Sequence, residues 1–306
     1  FYYLSGYKKI DKRSTVAMSL RYFTLGNIQF TDITGNSNGN YEPKEFAFDG
    51  AYARQLSDNL SVGIALRFIL SDLARGQVGV SGSEIKAGKA GAGDVSMTYK
   101  DKIDIGDRKF DYTVGGNISN IGNKITYTTE ANRDFIPVNF RVGTFWKTQI
   151  DEFNEIGFGV DFNKLLVPTP PEYAVDEDND PIYDENGNQV IAAGQDPNVG
   201  TVQGVFQSFN DAPGGMQEEL NELMYSVGME YWYLKQFAFR GGYFYEHETK
   251  GARKYFTVGL GLRMNVFSLD AAFLLPATSG VRSPLANTLR FTLLFDMESL
   301  YATNKE

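Results

Sequence analysis

Few residues in this chain could do acid–base, metal or phosphate chemistry. The single imidazole, His247, sits between Glu246 and Glu248 near the end of an apolar run. A polar tip at the outward end of a strand explains that trio better than a general base, which must reach a reacting proton. Residues 88–94, GKAGAGD, are glycine-rich but lack the Gly-Lys-Ser/Thr ending of a phosphate loop. They read as a flexible loop entering a strand. Residues 176–180, DEDND, start like a calcium loop, yet its sixth and twelfth positions are Pro181 and Gly187 instead of Gly and Glu. The EF-hand reading fails, and loose surface calcium binding stays an open alternative. Residues 183–190, YDENGNQV, read as a hairpin with an Asn-Gly turn. With no Cys and one His, thiol catalysis, thiolate sites and multi-His metal centres are excluded. No catalytic residue, metal site or cofactor is assigned.

What remains is charge, and its position depends on the elements that carry it. Residues 60–70, LSVGIALRFIL, put Leu60, Val62, Ile64, Leu66, Phe68 and Leu70 on one face and Ser61, Gly63, Ala65 and Arg67 on the other. A period of two marks a strand with one oily side. The same alternation recurs down the chain, for example in Val16, Met18, Leu20 and Tyr22, and in Phe256, Val258, Leu260 and Leu262. The minor faces carry Arg21, Asp49, Arg67, Arg141, Asp161, Glu230, Arg240, Arg263, Asp270 and Arg290. The strands are long, roughly 10–15 residues against a mode of about 5–6 in globular proteins. Long strands with mid-strand charge on one face and oil on the other fit a transmembrane barrel, with lipid outside and those ten charges facing the lumen.

Connection lengths agree. Short links at 10–13, 57–59, 105–108, 150–154, 234–236 and 264–265 alternate with longer ones near 31–43, 73–92, 121–134, 167–219, 248–253 and 276–287. Outer-membrane barrels have short periplasmic turns and longer extracellular loops. The expected strands lie at roughly 1–9, 14–26, 44–56, 60–72, 93–104, 109–120, 135–149, 155–166, 220–233, 237–247, 254–263, 266–275 and 287–296. That is 13, and bacterial single-chain barrels have even numbers. A total of 14 is expected, with an N-terminal strand and any plug missing from residues 1–306, which read as one multi-pass barrel. A mean hydropathy of −0.30 does not oppose this, because only alternate residues face lipid.

The formal net charge is −9, from 29 basic and 38 acidic residues. An acidic chain is a poor nucleic-acid partner. Residues 167–216 contain Glu172, Asp176, Glu177, Asp178, Asp180, Asp184, Glu185, Asp196 and Asp211 and no Lys or Arg. The acidity therefore belongs to one long extracellular loop, 167–219, and the rest of the chain is neutral. That loop also holds Val202, Val205, Phe206, Phe209 and Met216. Apolar residues on an external loop must be covered, either by the barrel mouth or by a partner.

Several stretches resemble the PorV (LptO) family of outer-membrane proteins of the type IX secretion system. They are SLRYFTLGNIQFTD (19–32), EFAFDGAYARQLSDNLSVGIALRFILSDLARG (45–76), NISNIGNKITYT (117–128), DFIPVNFRVG (134–143), DFNKLLVPTPP (161–171), QSFNDAPGG (207–215) and KYFTVGLGLRMNVFSLD (254–270). The resemblance implies a FadL-like barrel and a non-enzymatic role in the outer membrane. Such a protein would bind the C-terminal domains of secreted cargo, collect cargo from a SprA-type translocon and pass it to the surface attachment complex. Its oily strand faces would meet outer-membrane lipid and the translocon wall. The competing function on the same fold is a transporter of hydrophobic small molecules; a mostly charged and small lumen face weighs against oily ligands.

Overall fold

The structure is a computed structural model that describes residues 1–31, 34–74, 84–128, 133–277 and 288–297. The chain begins with β1 (Tyr2–Lys9), β2 (Ser14–Thr24), β3 (Ile28–Thr31), β4 (Ser37–Tyr41), β5 (Lys44–Gln55) and β6 (Leu60–Asp72). It continues with β7 (Gly88–Ile105), β8 (Arg108–Gly122), β9 (Asn139–Gln149) and β10 (Asn154–Leu165). The long connection holds β11 (Glu172–Tyr173), β12 (Ile191–Ala193), α1 (Thr201–Gln207) and α2 (Met216–Asn221). Last come β13 (Met224–Tyr233), β14 (Phe237–Tyr245), β15 (Lys254–Arg263), β16 (Phe267–Pro276) and β17 (Leu289–Phe295).

Thirteen strands form one sheet in the order β1-β2-β5-β6-β7-β8-β9-β10-β13-β14-β15-β16-β17. Each neighbour is the next long strand in the chain. In this meander short turns alternate with longer connections, and each strand pairs antiparallel with the next long strand. The thirteen expected strands are all present, most within two residues of the expected bounds. β3–β4 and β11–β12 are separate small hairpins inside long connections.

Two expectations are corrected. Residues 88–94 are the start of β7, not a flexible loop. Ala90 and Ala92 are buried against Ile125 and Ile136, and Gly91 donates its N–H to Asn123 Oδ1 at 2.7 Å. A Cβ on Gly88 would fall 2.8 Å from Ile125 Cγ1. Small residues here serve close strand packing, which composition alone reads as a loop. Residues 220–223 are likewise not strand: α2 and the turn after it fill 216–222, with Glu218 and Glu219 in the first helical turn, where acids suit the helix dipole. Parts of the connections at 73–92, 121–134 and 276–287 lie outside the described residues.

The chain divides into two compact units. One comprises Phe1–Met97, Asn117–Phe140 and Leu165–Met216, and the other Thr98–Gly116, Arg141–Lys164 and Gln217–Glu306. In both, burial is inverted relative to a water-soluble protein. In β6 of the first unit, Leu66 is 75% exposed and its neighbour Arg67 only 8%. In β14 and β15 of the second, Phe239, Phe256, Val258 and Leu260 are exposed while Ala238 is buried. Among the described residues, buried polar and charged side chains outnumber buried apolar ones.

Candidate functional site

The apolar residues of the long connection gather on and after α1. The helix starts after Gly200 and buries Gly204 and Gln207. Gly204 lies against Phe135 and Pro168, where an added Cβ would come within 2.8 and 3.0 Å of their rings. Phe135 is itself held beneath the Lys124 ammonium, 4.2 Å from the ring centroid. Gln207 Nε2 donates to the Asp196 carbonyl at 2.8 Å, and Ser208 Oγ to the Val205 carbonyl at 2.9 Å. Asp211, fully buried, accepts the Thr169 N–H at 3.1 Å.

The small and polar side of α1 therefore faces the protein. Val202 and Phe206, at i and i+4, share the other side and are 64% and 72% exposed, and Phe209, in the turn after the helix, is 48% exposed. Met216 is exposed as well. Val205 is half-buried, between the two sides.

The acidic residues of the same unit build two copies of one turn. Asp176 Oδ1 accepts the N–H groups of Asp178 and Asp180 at 3.0 and 2.9 Å. Asp184 Oδ1 accepts those of Asn186 and Asn188 at 2.8 Å each. The Asn188 N–H, followed by the Asn188 side chain and Asn186, holds the Asp184 carboxyl below the usual aspartate value. The Tyr183–Gln189 bridge closes the expected hairpin. Its left-handed residue is Gly187, φ 82°, so the turn is a type I turn with a glycine bulge. Glu177, Asp178, Asp180 and Glu185 are exposed.

The ten strand charges divide between the two units. In the first, Arg67 pairs with Asp49 and with Asp94 at 2.8 Å, and bonds the Asn120 side chain. Arg21 approaches Asp49 at 3.6 Å, and Ser19 Oγ donates to Asp49 at 2.8 Å. Asp94 and Asn120 were not anticipated. Asp94 was hidden by the loop reading of 88–94, and Asn120, at φ 63°, is fixed by accepting from Arg67 and donating its N–H to Asp94.

In the second unit Arg240 bridges Glu230 at 3.1 Å and Asp270 at 2.5 Å. The Arg240 and Arg263 guanidiniums lie 5.2 and 4.6 Å from the centre of the Trp232 ring. Arg141 stands apart, donating to Asn163 Oδ1 at 2.5 Å. Asp161 lies on Gly143, where a Cβ would strike its carboxylate. Arg290 is exposed on β17, opposite Ala272. A further cluster gave no sequence signal. Buried Lys164 pairs with Glu219 and Glu222 at 2.9 and 2.5 Å, and Lys250 joins Glu222 to Glu218. These partners lie more than fifty residues from Lys164 and meet only in the fold.

A family model described as type IX secretion system protein PorV matches residues 2–172. The chain belongs to the PorV family. As a PorV-family protein it is a type IX secretion protein of the outer membrane and a transmembrane antiparallel β-barrel. The PorV match spans β1 to β10 and stops where the acidic turns begin; α1 and its exposed residues lie beyond it. Among solved structures, the chain is similar to the toluene transporter TbuX of Ralstonia pickettii, with 11% identity, a TM-score of 0.41, and 92% of this chain and 76% of that chain covered. It is also similar to the outer membrane transporter YddB from Escherichia coli, with 11% identity, a TM-score of 0.28, and coverage of 89% and 37%. A search of curated proteins found no match.

Proposed function

We propose that this PorV-family protein is a non-enzymatic docking component of type IX secretion. Its working surface is the outward side of α1 with Val202, Phe206, Phe209 and Met216, and Val205 at the margin. This surface seats on a SprA-type translocon or on the C-terminal domain of secreted cargo, which then passes to the surface attachment complex. The supporting observation is the inverted amphipathicity of α1: its polar side is bonded to the protein, and its apolar side is left without cover among the described residues. Exposed apolar patches of this kind mark interaction surfaces. The acids of the same connection would favour a basic or calcium-bridged partner and make binding salt-sensitive.

The test is affinity purification from native membranes of the full chain carrying Val202→Glu and Phe206→Glu. The expected outcome is a folded barrel that has lost translocon and cargo. Normal recovery of both would overturn the reading.

Transport of hydrophobic small molecules is favoured by one observation. A cavity of about 460 Å3 in the second unit is lined by Phe145, Phe244, Ala272 and several glycines, with Asp161, Glu230, Arg240 and Asp270 also on its wall. Phe145→Arg would block small-molecule uptake and spare secretion under that reading.

A further inference from the structure

We infer that the short-turn end of β13, β14 and β15 carries a binding site for a small oxyanion. The register builds it. Glu155, Trp232, Ala238, Gly261 and Asp270 form one cross-strand row. The row on one side holds Glu230, Arg240 and Gly259. The row on the other holds Gln236, Arg263 and Ser268. Trp232 thus lies between the Arg240 and Arg263 rows, and both guanidiniums pack on its indole. Ala238 and Gly261 keep the row low enough for the ring. A Cβ on Gly261 would fall 2.7 Å from Asp270 Oδ1 and 2.9 Å from Arg240 Nη1.

The charged groups around this indole sum to one positive charge, and two of the cations are left without a carboxylate. Arg240 is occupied by Glu230 and Asp270, Lys147 by Glu155 at 3.3 Å, and Asp111 by Lys102 at 3.1 Å. Lys235 and Arg263 have no carboxylate partner among the described residues. Both line a cavity of about 400 Å3, together with Trp232, Phe145, Lys147 and Arg240 and the paired carboxylates of Asp111, Glu155 and Glu230. That volume is in the range of small-molecule sites.

The backbone at Lys235 is also unusual. Leu234 and Lys235, at φ 55° and 56°, form a two-residue turn closed by the Gln236 N–H on the Tyr233 carbonyl at 3.0 Å. Such a turn favours Asn-Gly, because both central residues are left-handed. Two side-chain-bearing residues are kept there at a steric cost, and one of them brings an ammonium to the cavity.

The ligand chemistry follows from these groups. With one face on the indole, Arg263 keeps the edge of its guanidinium fork for two oxygens of a carboxylate or phosphate. Lys235 supplies a second positive charge at the same cavity. A dicarboxylate and a phosphate monoester share the required paired oxygens.

Trp146 and Trp232 are the chain's two tryptophans, so Trp146→Phe leaves Trp232 as the sole indole reporter. The detergent-solubilised full chain carrying Trp146→Phe is titrated with succinate and, separately, inorganic phosphate, with ionic strength held constant by sodium chloride. A saturable change in Trp232 fluorescence is expected. Binding should weaken about tenfold in Arg263→Gln and in Lys235→Gln, the loss of one charge-assisted contact. A response to succinate alone assigns an organic diacid, and a response to phosphate alone a phosphate ester. No saturable change with either probe would overturn the inference. So would unchanged affinity in Lys235→Gln, whose exposed turn position keeps the test valid if Arg263→Gln does not fold.

Discussion

Asp49 and Arg67 face each other in the register of β5 and β6, and their side chains form a buried ion pair. The next pair in that register, Gly50 and Leu66, turns to the other face, where Leu66 is exposed. One step along the ladder changes the surroundings from a charge network to an oily surface. That alternation is the physical content of the fold.

Arg67→Leu should destabilise the protein by about 3–5 kcal/mol, because buried Asp49 would keep only the distant Arg21 and half-buried Asp94 would lose its cation. Arg21→Leu should cost about 0–1 kcal/mol, since Arg21 is partly exposed and 3.6 Å from Asp49. Urea unfolding in lipid vesicles compares the two. Equal losses would mean that the network does not depend on Arg67.

On the opposite face, Leu66→Arg should cost about 2–4 kcal/mol in a bilayer. Ala65→Ser, on the inner face, should cost much less. The same unfolding assay reads both, and equal costs would reverse the face assignment.

The seat of α1 depends on Gly204. Gly204→Val must push Phe135 or Pro168 aside, an overpacking cost of about 1–3 kcal/mol confined to the long connection. Limited proteolysis should then cut within 195–216 faster while the strands stay resistant. Unchanged cleavage would show that Gly204 does not hold the helix down.

The acidic turns should loosen in acid. Backbone N–H groups, Asn188 first, lower the Asp184 pKa in the folded turn. A lowered carboxyl pKa stabilises at pH above the unfolded value, about 3.9, and that contribution disappears as pH falls through the folded value. Amide exchange at Asn186 and Asn188 should therefore be slow near neutrality and rise, relative to other exposed turns, below about pH 4. Asp184→Ala should exchange quickly at every pH. A wild-type turn with no acid response would show that the carboxylate does not order it.

Much of the fold was legible because the decisive pattern is local. Leu60 to Leu70 alternate within eleven residues, and a period-two run needs no tertiary information to be read as a strand with two unlike faces. The charges at Asp49, Arg67, Arg240 and Asp270 could be placed on one face for the same reason. Their partners could not be named. Asp94 was obscured because GKAGAGD has the composition of a loop, and only the close approach of Ile125 explains why small residues stand in a strand there.

The sequence by itself determined the period, the strand positions and the location of the net charge, since each depends on residues near one another in the chain. It also placed Val202, Phe206 and Phe209 together on the long connection. Only the tertiary structure decided which side of α1 faces outward, because that depends on Phe135 and Pro168, more than thirty residues away. It alone brought Lys235, Arg263 and Trp232 to one cavity. Cross-strand register joins residues by hydrogen bonds between chain-distant backbones, and neither composition nor periodicity records which residues those bonds bring face to face.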